Sequence, residues 1–303
     1  MQIVVERSQA LSGEIQVPGA KNSVLKLMAI TLLAEGEYRL TNVPDIADVN
    51  IMCDLLGALG VKSNRVSAHE LVLINDGNVT PVAPVEQVDR IRASINVLGP
   101  LLGRYGHADI ALPGGDDFGS RPIDLHVKGL EAMGAVFDLA SDGVHATAKH
   151  LRGADITLSF PSVGATENIL TAAVLADGTT TLDNAAREPE ISDLCNMLND
   201  MGALISGIGT SRLTIVGVTP QELHAVSHEV VNDRVQAATY IAAVAVSQGD
   251  VFVRGARAEH MEMLLNRYAE MGVSITPHAD GLRVVSQQRL RSIDFATLPY
   301  PGI

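Results

Sequence analysis

One pattern recurs along the chain at intervals of about 70 residues, and this repeat constrains the fold more than any other feature. In each copy a helix-like stretch ends in a Met-Gly or Leu-Gly step and runs into a short apolar or β-branched segment. The steps end at Gly60, Gly134, Gly202 and Gly272. Glycine can end a helix in the left-handed conformation without the steric penalty of a Cβ atom. We therefore predict four related modules.

A second glycine precedes three of these steps by about 24 residues. It is Gly36, Gly178 or Gly249, and Gly106 takes this part in the second module at a looser spacing. Alternating segments such as TTTLDN predict strands. Each module should therefore run helix, strand, helix, strand, strand, with helices covering one apolar face of its sheet. The sequence predicts an α/β fold whose modules associate around a shared core.

The repeat also predicts domain boundaries. Modules one to three occupy residues 21–231, and the fourth begins near residue 232. The N-terminal strand segments, 2–5 and 13–17, have no helix of their own and need a partner elsewhere. We therefore expect a three-module domain at 21–231 and a discontinuous second domain formed by 1–20 plus 232–303. Because a single module follows a set of three, we also expect the C-terminal part of the second domain to be missing.

Charge and hydropathy argue against two classes of partner. A net charge of -13 disfavours binding to nucleic acid or an anionic membrane, because both need a basic surface. The longest helix-like apolar run, 237–246, falls well short of the roughly twenty residues of a membrane span and predicts a buried helix. Cys53 and Cys195 lack metal-ligand spacing, so we expect core thiols in a reducing compartment. These features predict a soluble, cytoplasmic protein.

Polar residues recur where each module's first helix begins. Helix N-termini carry unpaired N–H groups and the positive end of the helix dipole, so they bind anions readily. The residues at these positions are Lys21, Asn22, Arg90, Arg92, Ser162, Gly164, Asp233 and Arg234. Taken together they predict a site for a polyanion. The alternative is that Ser162 is a simple N-cap and that Arg90 and Arg92 belong to a solvated face.

A glycine-rich segment at 112–122, LPGGDDFGSRP, predicts a mobile loop that closes as a lid. Arg121 could bind a carboxylate or phosphate in bidentate fashion, and an aspartate of the loop could transfer a proton. The alternative is that the two aspartates are ordinary turn residues. A charged cluster at 184–190 predicts surface salt bridges, and His224 and His228, which have no third ligand in view, are expected at the surface.

Several of these segments together resemble one family along all 303 residues. They are Pro18-Gly-Ala-Lys-Asn22, Arg92-Ala-Ser94, Pro113-Gly-Gly115 with Gly119-Ser-Arg-Pro122, Ser162-Val-Gly-Ala-Thr166 and Asn184-Ala-Ala-Arg-Glu-Pro-Glu190. The chain resembles the UDP-N-acetylglucosamine enolpyruvyl transferases of the EPSP synthase-like family. The resemblance implies an inside-out α/β barrel of βαβαββ modules, three in each of two domains. It also implies transfer of enolpyruvyl from phosphoenolpyruvate to the sugar 3-hydroxyl, the committed step of peptidoglycan synthesis. The sequence indicates no metal or organic cofactor.

The resemblance also assigns roles by motif. It implies that Lys21 and Arg121 hold phosphoenolpyruvate and that Asp116, at the lid, takes part in catalysis with them. The residues implied to line the UDP-sugar site are Asn22, Arg92, Ser162, Val163 and Gly164, and those implied at the domain junction are Asp233 and Arg234.

Three positions depart from the family pattern. Most members have a cysteine at the lid position where this chain has Asp116. A carboxylic acid can still donate a proton there if its pKa is raised. Fosfomycin alkylates the cysteine but not the aspartate, so we expect resistance to fosfomycin. Ala47 stands where the family often has lysine. The family's Pro-Thr-Asp turn, with the expected general base, would follow residue 303, so we expect the 303-residue chain alone to be inactive and poorly stable.

Two other functions stay open at this stage. The sister enzyme that makes enolpyruvylshikimate phosphate shares the fold, but its first helix usually opens with Lys-Ser, whereas Lys21-Asn22 opens it here. A non-catalytic paralogue would keep the sugar site and lack the chemistry. The oligomeric state is left open.

Overall fold

The computed structural model describes residues 2–4, 6, 9–111, 122–140 and 143–302. Its strands are β1 (Ser12–Gln16), β2 (Gly36–Thr41), β3 (Lys62–Ser67), β4 (Glu70–Asn75), β5 (Val82–Ala83), β6 (His107–Ala111), β7 (Val136–Ala140), β8 (Gly143–Thr147), β9 (Asp155–Thr157), β10 (Thr179–Asp183), β11 (Leu204–Ser206), β12 (Arg212–Val216), β13 (Ser227–Glu229), β14 (Asp250–Arg254), β15 (Ser274–His278) and β16 (Gly281–Val285). Its α-helices are α1 (Lys21–Ala29), α2 (Ala47–Leu59), α3 (Val85–Val88), α4 (Leu98–Tyr105), α5 (Asp124–Ala132), α6 (Val163–Ala173), α7 (Pro189–Asp200), α8 (Arg234–Ser247) and α9 (Glu262–Met271). Short 3₁₀ segments lie at Ile30–Leu32, Arg92–Val97, Pro220–Glu222 and Ala258–His260.

The strands form four-stranded sheets that share one order. In each sheet a parallel edge strand is followed by three antiparallel strands: β13-β2-β4-β3, β5-β6-β8-β7, β9-β10-β12-β11 and β1-β14-β16-β15. The repeated α/β module is therefore confirmed. The barrel expected from the resemblance is not closed by these pairings, because every sheet formed by the described strands keeps two free edges.

The chain folds into two compact units, one formed by 1–20 with 232–303 and the other by 21–231. In the 21–231 unit the edge strand of the first sheet is β13, so residues at the end of this unit complete the module that α1 begins. β1 pairs with β14 instead, joining Ser12 to Asp250. The segment 2–4, which was expected to form a strand, is outside any strand.

Buried helices form the interior of the 21–231 unit. Every residue of α6 from Ala165 to Ala173 is buried, as is every residue of α1 from Ser23 to Ala29. A helix that is apolar or small on all sides fits a core position rather than a surface one. The close packing requires Gly99 of α4, because a Cβ atom there would overlap the Thr171 hydroxyl and the Asn168 carbonyl of α6. Strands β2, β4, β6 and β10 of the same unit contribute buried residues to this core.

The other unit places α8 against the sheet that contains β14 and β16. Ile241, Val244, Val253 and Val284 are among the buried residues of its small core. The prediction of a buried helix at 237–246 is wrong in part, because α8 buries one face only and leaves Val246 74% exposed. Apolar residues of this run lie on all sides of α8, whereas only one side of the helix packs against the sheet. Over the described residues, no helix has the length and hydrophobicity to cross a membrane.

Candidate active site

Three largely buried segments of the 21–231 unit begin at residues that the sequence predicts to bind substrate. α1 begins at Lys21, the 3₁₀ segment begins at Arg92, and α6 begins at Val163. The 3₁₀ segment packs against both helices. The predicted positions Lys21, Asn22, Arg92 and Ser162–Gly164 therefore lie on neighbouring segments. Exposed N–H groups and two cationic side chains at such segment starts can bind an anion.

Lys21 is half-exposed at the first position of α1. Its Nζ lies 2.8 Å from Oδ1 of Asp48, in the first turn of α2. Asn22 is exposed, and so is Ala47, the neighbour of Asp48. Where the family often has a lysine, this chain therefore has a methyl group beside a carboxylate that pairs with Lys21.

Lys26 and Glu167 form a buried ion pair between α1 and α6. Lys26 Nζ lies 3.0 Å from Glu167 Oε1, and it also donates to the carbonyl oxygen of Asn22. The residues are 8% and 3% exposed. The pair is a charge contact rather than a well-directed hydrogen bond, because neither Glu167 oxygen meets hydrogen-bond geometry with a described residue. Burial raises the pKa of Glu167 to about 7, Lys26 opposes this shift, and Glu190 and Glu188 add to it.

Ser162 caps α6. Its Oγ accepts a hydrogen bond from the Ala165 N–H at 3.3 Å, and its carbonyl accepts one from Thr166 at 3.0 Å. The N-cap interpretation of this serine is therefore correct. Val163 and Gly164 follow in the first turn, half-buried.

His126 of α5 lies beside the start of α6. Its Nδ1 lies 2.9 Å from Nδ2 of Asn168, whose Oδ1 accepts from the Gly99 N–H at 2.7 Å. Because this amide orientation makes Asn168 the donor, the neutral imidazole of His126 carries its proton on Nε2. A Cβ atom at Gly164 would lie 3.0 Å from His126 Cε1 and 3.2 Å from Nε2. Gly164 therefore makes room for the imidazole.

The His126 imidazole is uncharged at neutral pH. Burial lowers its pKa to about 4, and the positive charge of Arg92 lowers it further. The sequence motifs did not reveal His126, because a single histidine on a helix gives no local signal that it will be buried. Its neighbours Asn168 and Gly99 are distant in sequence.

Asp193 joins three parts of the same unit. Its carboxylate accepts from Ser23 Oγ at 2.5 Å and from the Val231 N–H at 3.2 Å, and it lies 2.9 Å from His228 Nε2. The expectation that His228 is a surface residue is therefore wrong: its side chain is 11% exposed and lies in β13, not on a helix. His224 is exposed as expected.

The charged cluster at 184–190 is also less exposed than expected. Ala185 and Ala186 are buried, and Glu190, in the first turn of α7, is 4% exposed. Asn184 donates to the carbonyl of Leu158 at 2.8 Å. Backbone and helix-start contacts bury most of the segment and leave Arg187 exposed, so it is not mainly a surface segment, whereas its salt bridges stay a prediction. Arg90, by contrast, does belong to a solvated face, 2.8 Å from Asp54.

Asp233 and Arg234 belong to the other unit. Asp233 caps α8 by accepting from the N–H groups of Val235 and Gln236 at 2.8 and 3.1 Å. The Arg234 guanidinium lies 4.9 Å from the ring centroid of Tyr300, a cation–π distance. Their assignment to a domain junction stays a prediction. Asp116 and Arg121 lie outside the described residues.

The thiols of Cys53 and Cys195 differ in their burial. Cys195 is fully buried, as expected, and burial raises its pKa to about 12. Cys53 is only half-buried. In the part of the chain that the structure describes, no cluster of three His, Cys, Asp or Glu side chains has the arrangement of a metal site.

Comparison with known proteins gives two sequence findings. Residues 5–303 match the family model described as EPSP synthase (3-phosphoshikimate 1-carboxyvinyltransferase). The chain is also 49% identical to the UDP-N-acetylglucosamine 1-carboxyvinyltransferases of Nocardia farcinica, over 308 residues, and of Corynebacterium jeikeium, over 305 residues. Each alignment covers 99% of this chain and 71% of the relative.

Solved structures share the fold. The enolpyruvyl transferase NikO from Streptomyces tendae matches with a TM-score of 0.85 at 23% identity, covering 97% of this chain and 70% of NikO. EPSP synthase from Acinetobacter baumannii matches with a TM-score of 0.69 at 20% identity, covering 97% and 68%. The module order, the family model and the 49% identical relatives agree. The chain belongs to the enolpyruvyl transferase family described as EPSP synthase (3-phosphoshikimate 1-carboxyvinyltransferase).

Proposed function

We propose that this protein transfers the enolpyruvyl group of phosphoenolpyruvate to the 3-hydroxyl of UDP-N-acetylglucosamine and releases phosphate. The observation that carries this proposal is the 49% identity, over 99% of the chain, to two proteins named for this activity. The Lys21-Asn22 start of the first helix favours the same acceptor over shikimate phosphate. The reaction is the first committed step of peptidoglycan synthesis, so the protein would serve cell-wall formation.

The substrate site that we propose uses the residues assigned by motif. Lys21 and Arg121 neutralise the phosphate and carboxylate of phosphoenolpyruvate, and the N-terminus of α1 adds its dipole. The diphosphate and sugar of the acceptor are bound by Asn22, Arg92, Ser162, Val163 and Gly164. The packing of the 3₁₀ segment at Arg92 against α1 and α6 supports this grouping. Asp233 and Arg234, in the second proposed domain of 1–20 plus 232–303, are assigned to substrate binding by the same motifs, and 21–231 is the first proposed domain.

The chemistry requires a proton donor for the vinyl carbon. We assign this role to Asp116, whose carboxylic acid gives its proton to C3 of phosphoenolpyruvate while the sugar 3-hydroxyl loses its proton to a general base and its oxygen bonds to C2. A base then removes a proton from C3 as phosphate leaves C2, which restores the double bond in the product. Cationic groups at the phosphate stabilise the charge that develops on departure. Closure of the 112–122 loop would exclude water and raise the pKa of Asp116.

We further propose that the protein works in the cytoplasm. Cys53 and Cys195 are free thiols, which fits a reducing compartment. Both proposed substrates are small anions, and a local cluster of cations can bind them despite a net charge of -13.

A phosphate-release assay with two acceptors tests the proposal. In a protein extended to the relatives' length, we expect phosphoenolpyruvate to release phosphate in the presence of UDP-N-acetylglucosamine and not in the presence of shikimate 3-phosphate. Release with shikimate 3-phosphate alone would reassign the substrate. Tight binding of UDP-N-acetylglucosamine without release of phosphate, in a protein extended to the relatives' length, would indicate a non-catalytic paralogue.

A further inference from the structure

The buried pair of Lys26 and Glu167 has no part in the chemistry described above. We propose that Glu167 is a positioning residue: by holding the Lys26 ammonium group it fixes the first turn of α1, and so places Lys21 and Asn22 for the anionic substrate. The identity of that substrate rests on the proposed function, whereas the fixing of the helix start does not.

The geometry connects the pair directly to the predicted site. One Lys26 Nζ contacts both Glu167 Oε1, at 3.0 Å, and the carbonyl oxygen of Asn22. That carbonyl is the second one of α1, so the ammonium group ties the first turn of the helix to α6. Glu167 lies one turn after Gly164 in α6. The pair therefore links two helix starts that are both predicted to bind substrate.

The free energy needed to bury the two charges of Lys26 and Glu167 argues against a role of the pair in stability alone. Burying two charges takes each out of water, and replacing a buried ion pair by apolar side chains of similar size is often neutral or stabilising. Glu167 carries this cost to an unusual degree, because it is fully buried and neither oxygen has a well-directed hydrogen bond to a described residue. Most residues of the core around the pair are apolar, so an apolar pair would fit there, although Glu188 and Glu190 lie close enough to raise the pKa of Glu167.

Two charge-removing variants separate positioning from stability. Glu167→Gln keeps the shape of the side chain and removes its charge. Lys26 then loses its counter-ion, and its hydrogen bond to the Asn22 carbonyl weakens. The double variant K26M/E167M refills the space with apolar atoms and should fold at least as stably as the parent. We expect both variants to lose the fixed helix start. A stable double variant with an altered helix start would show a role that stability does not explain.

The first measurement is amide hydrogen exchange of α1, which needs no activity. We expect the amides of Leu25 and Lys26, whose hydrogen bonds close the first turn, to exchange several-fold faster in both variants. Asp76→Asn is the matched control, because Asp76 forms an exposed pair with Lys62 at 2.8 Å in the same unit. This control should leave the exchange unchanged. Unchanged exchange in Glu167→Gln would overturn the inference.

The second measurement is steady-state kinetics in a protein of the relatives' length. We expect Glu167→Gln to raise KM for phosphoenolpyruvate, which Lys21 binds, and KM for UDP-N-acetylglucosamine, which Asn22 binds, each roughly tenfold, as misplacement of binding groups does. Glu167→Asp, which keeps the charge, should recover part of the loss. A fall in KM, or parental kinetics in K26M/E167M, would contradict the positioning role. If neither the parent nor any variant turns over while the exchange still changes, the proposed function fails and the positioning inference stands.

Discussion

Gly164 and the His126 imidazole share a space too small for an additional methyl group. In Gly164→Ala, Cβ would lie 3.0–3.2 Å from the imidazole, so the ring or the start of α6 must shift. We expect the free energy of unfolding to fall by about 1–2 kcal/mol and the affinity for UDP-N-acetylglucosamine to weaken. Urea denaturation and calorimetric titration measure the two effects.

Gly57→Ala is the matched control for this substitution. Gly57 lies inside α2, and a Cβ there meets no atom within 4 Å. Alanine should therefore stabilise the helix by up to about 1 kcal/mol without affecting binding. If Gly164→Ala behaved like Gly57→Ala, the packing between His126 and α6 would be described incorrectly.

Glu167 should make stability depend on pH. Its pKa is raised from 4.5 to about 7 on folding, so between these pH values the folded state keeps a proton that the unfolded state releases. The contribution of Glu167 to stability therefore falls as pH rises through this window. Relative to Glu167→Gln, the parent should lose on the order of 2–3 kcal/mol between pH 4.5 and 7.5.

The difference between parent and variant is the quantity to measure, by urea denaturation at each pH. His126 acts in the opposite sense, because its pKa is lowered from 6.5 to about 4 and its contribution is lost as pH falls through that range. The parent curve alone can therefore look flat. Parallel curves for the parent and Glu167→Gln would contradict the buried charge at Glu167.

Asp116 predicts the response to fosfomycin. A carboxylate at the lid position cannot be alkylated as a cysteine thiolate is, so we expect the activity to survive fosfomycin. Asp116→Cys should restore time-dependent inhibition and a covalent adduct detectable by mass spectrometry. Inhibition of the parent with labelling of Asp116 would refute this prediction.

At the scale of elements, the sequence was most informative where the signal is local. The Met/Leu-Gly steps predicted helix ends, and Gly60, Gly134, Gly202 and Gly272 all have φ near +100°. Helices with an apolar face and alternating strands are likewise encoded within a few residues of each other. The sheet order β13-β2-β4-β3 was not predictable in this way, because β13 reaches its partner across nearly the whole unit.

The candidate site was predicted unevenly for the same reason. The segments at Lys21, Arg92 and Ser162 carry local motifs, and a helical segment begins at or next to each of them, whereas their role in binding stays a prediction. His126 and His228 were missed or misplaced, since their burial depends on partners at Asn168 and Asp193. A polar side chain with a distant partner gives no sign of it in its own segment.

Asp193 contacts residues that are distant from it in sequence, and mutation can test these contacts. It accepts hydrogen bonds from α1 and from residue 231 and pairs with β13, so Asp193→Ala should leave Ser23 and His228 without their partner. We expect a loss of about 3 kcal/mol in the free energy of unfolding, measured by urea denaturation. Asp200→Ala, at a 63% exposed carboxylate 3.9 Å from His228, should cost far less. Equal effects of the two substitutions would contradict a buried hub at Asp193.

At the scale of the whole molecule, the motif-based expectation that residues 1–303 alone are inactive and poorly stable stays a prediction. The chain spans 71% of the relatives named above, and the α8 helix exposes Val235 and Val246. We expect residues 1–303 to give no turnover and an early thermal transition. Joining them to the remaining part of the Nocardia farcinica relative should restore turnover and raise the transition temperature. Full turnover by residues 1–303 would refute this expectation.

Mass analysis of the acceptor tests the central claim most directly. The protein, extended to the relatives' length, is incubated with phosphoenolpyruvate and an equal mixture of UDP-N-acetylglucosamine and shikimate 3-phosphate. The account predicts that UDP-N-acetylglucosamine alone gains the mass of one enolpyruvyl group, with one phosphate released for each product. Enolpyruvyl on shikimate 3-phosphate, with UDP-N-acetylglucosamine unchanged, would contradict it.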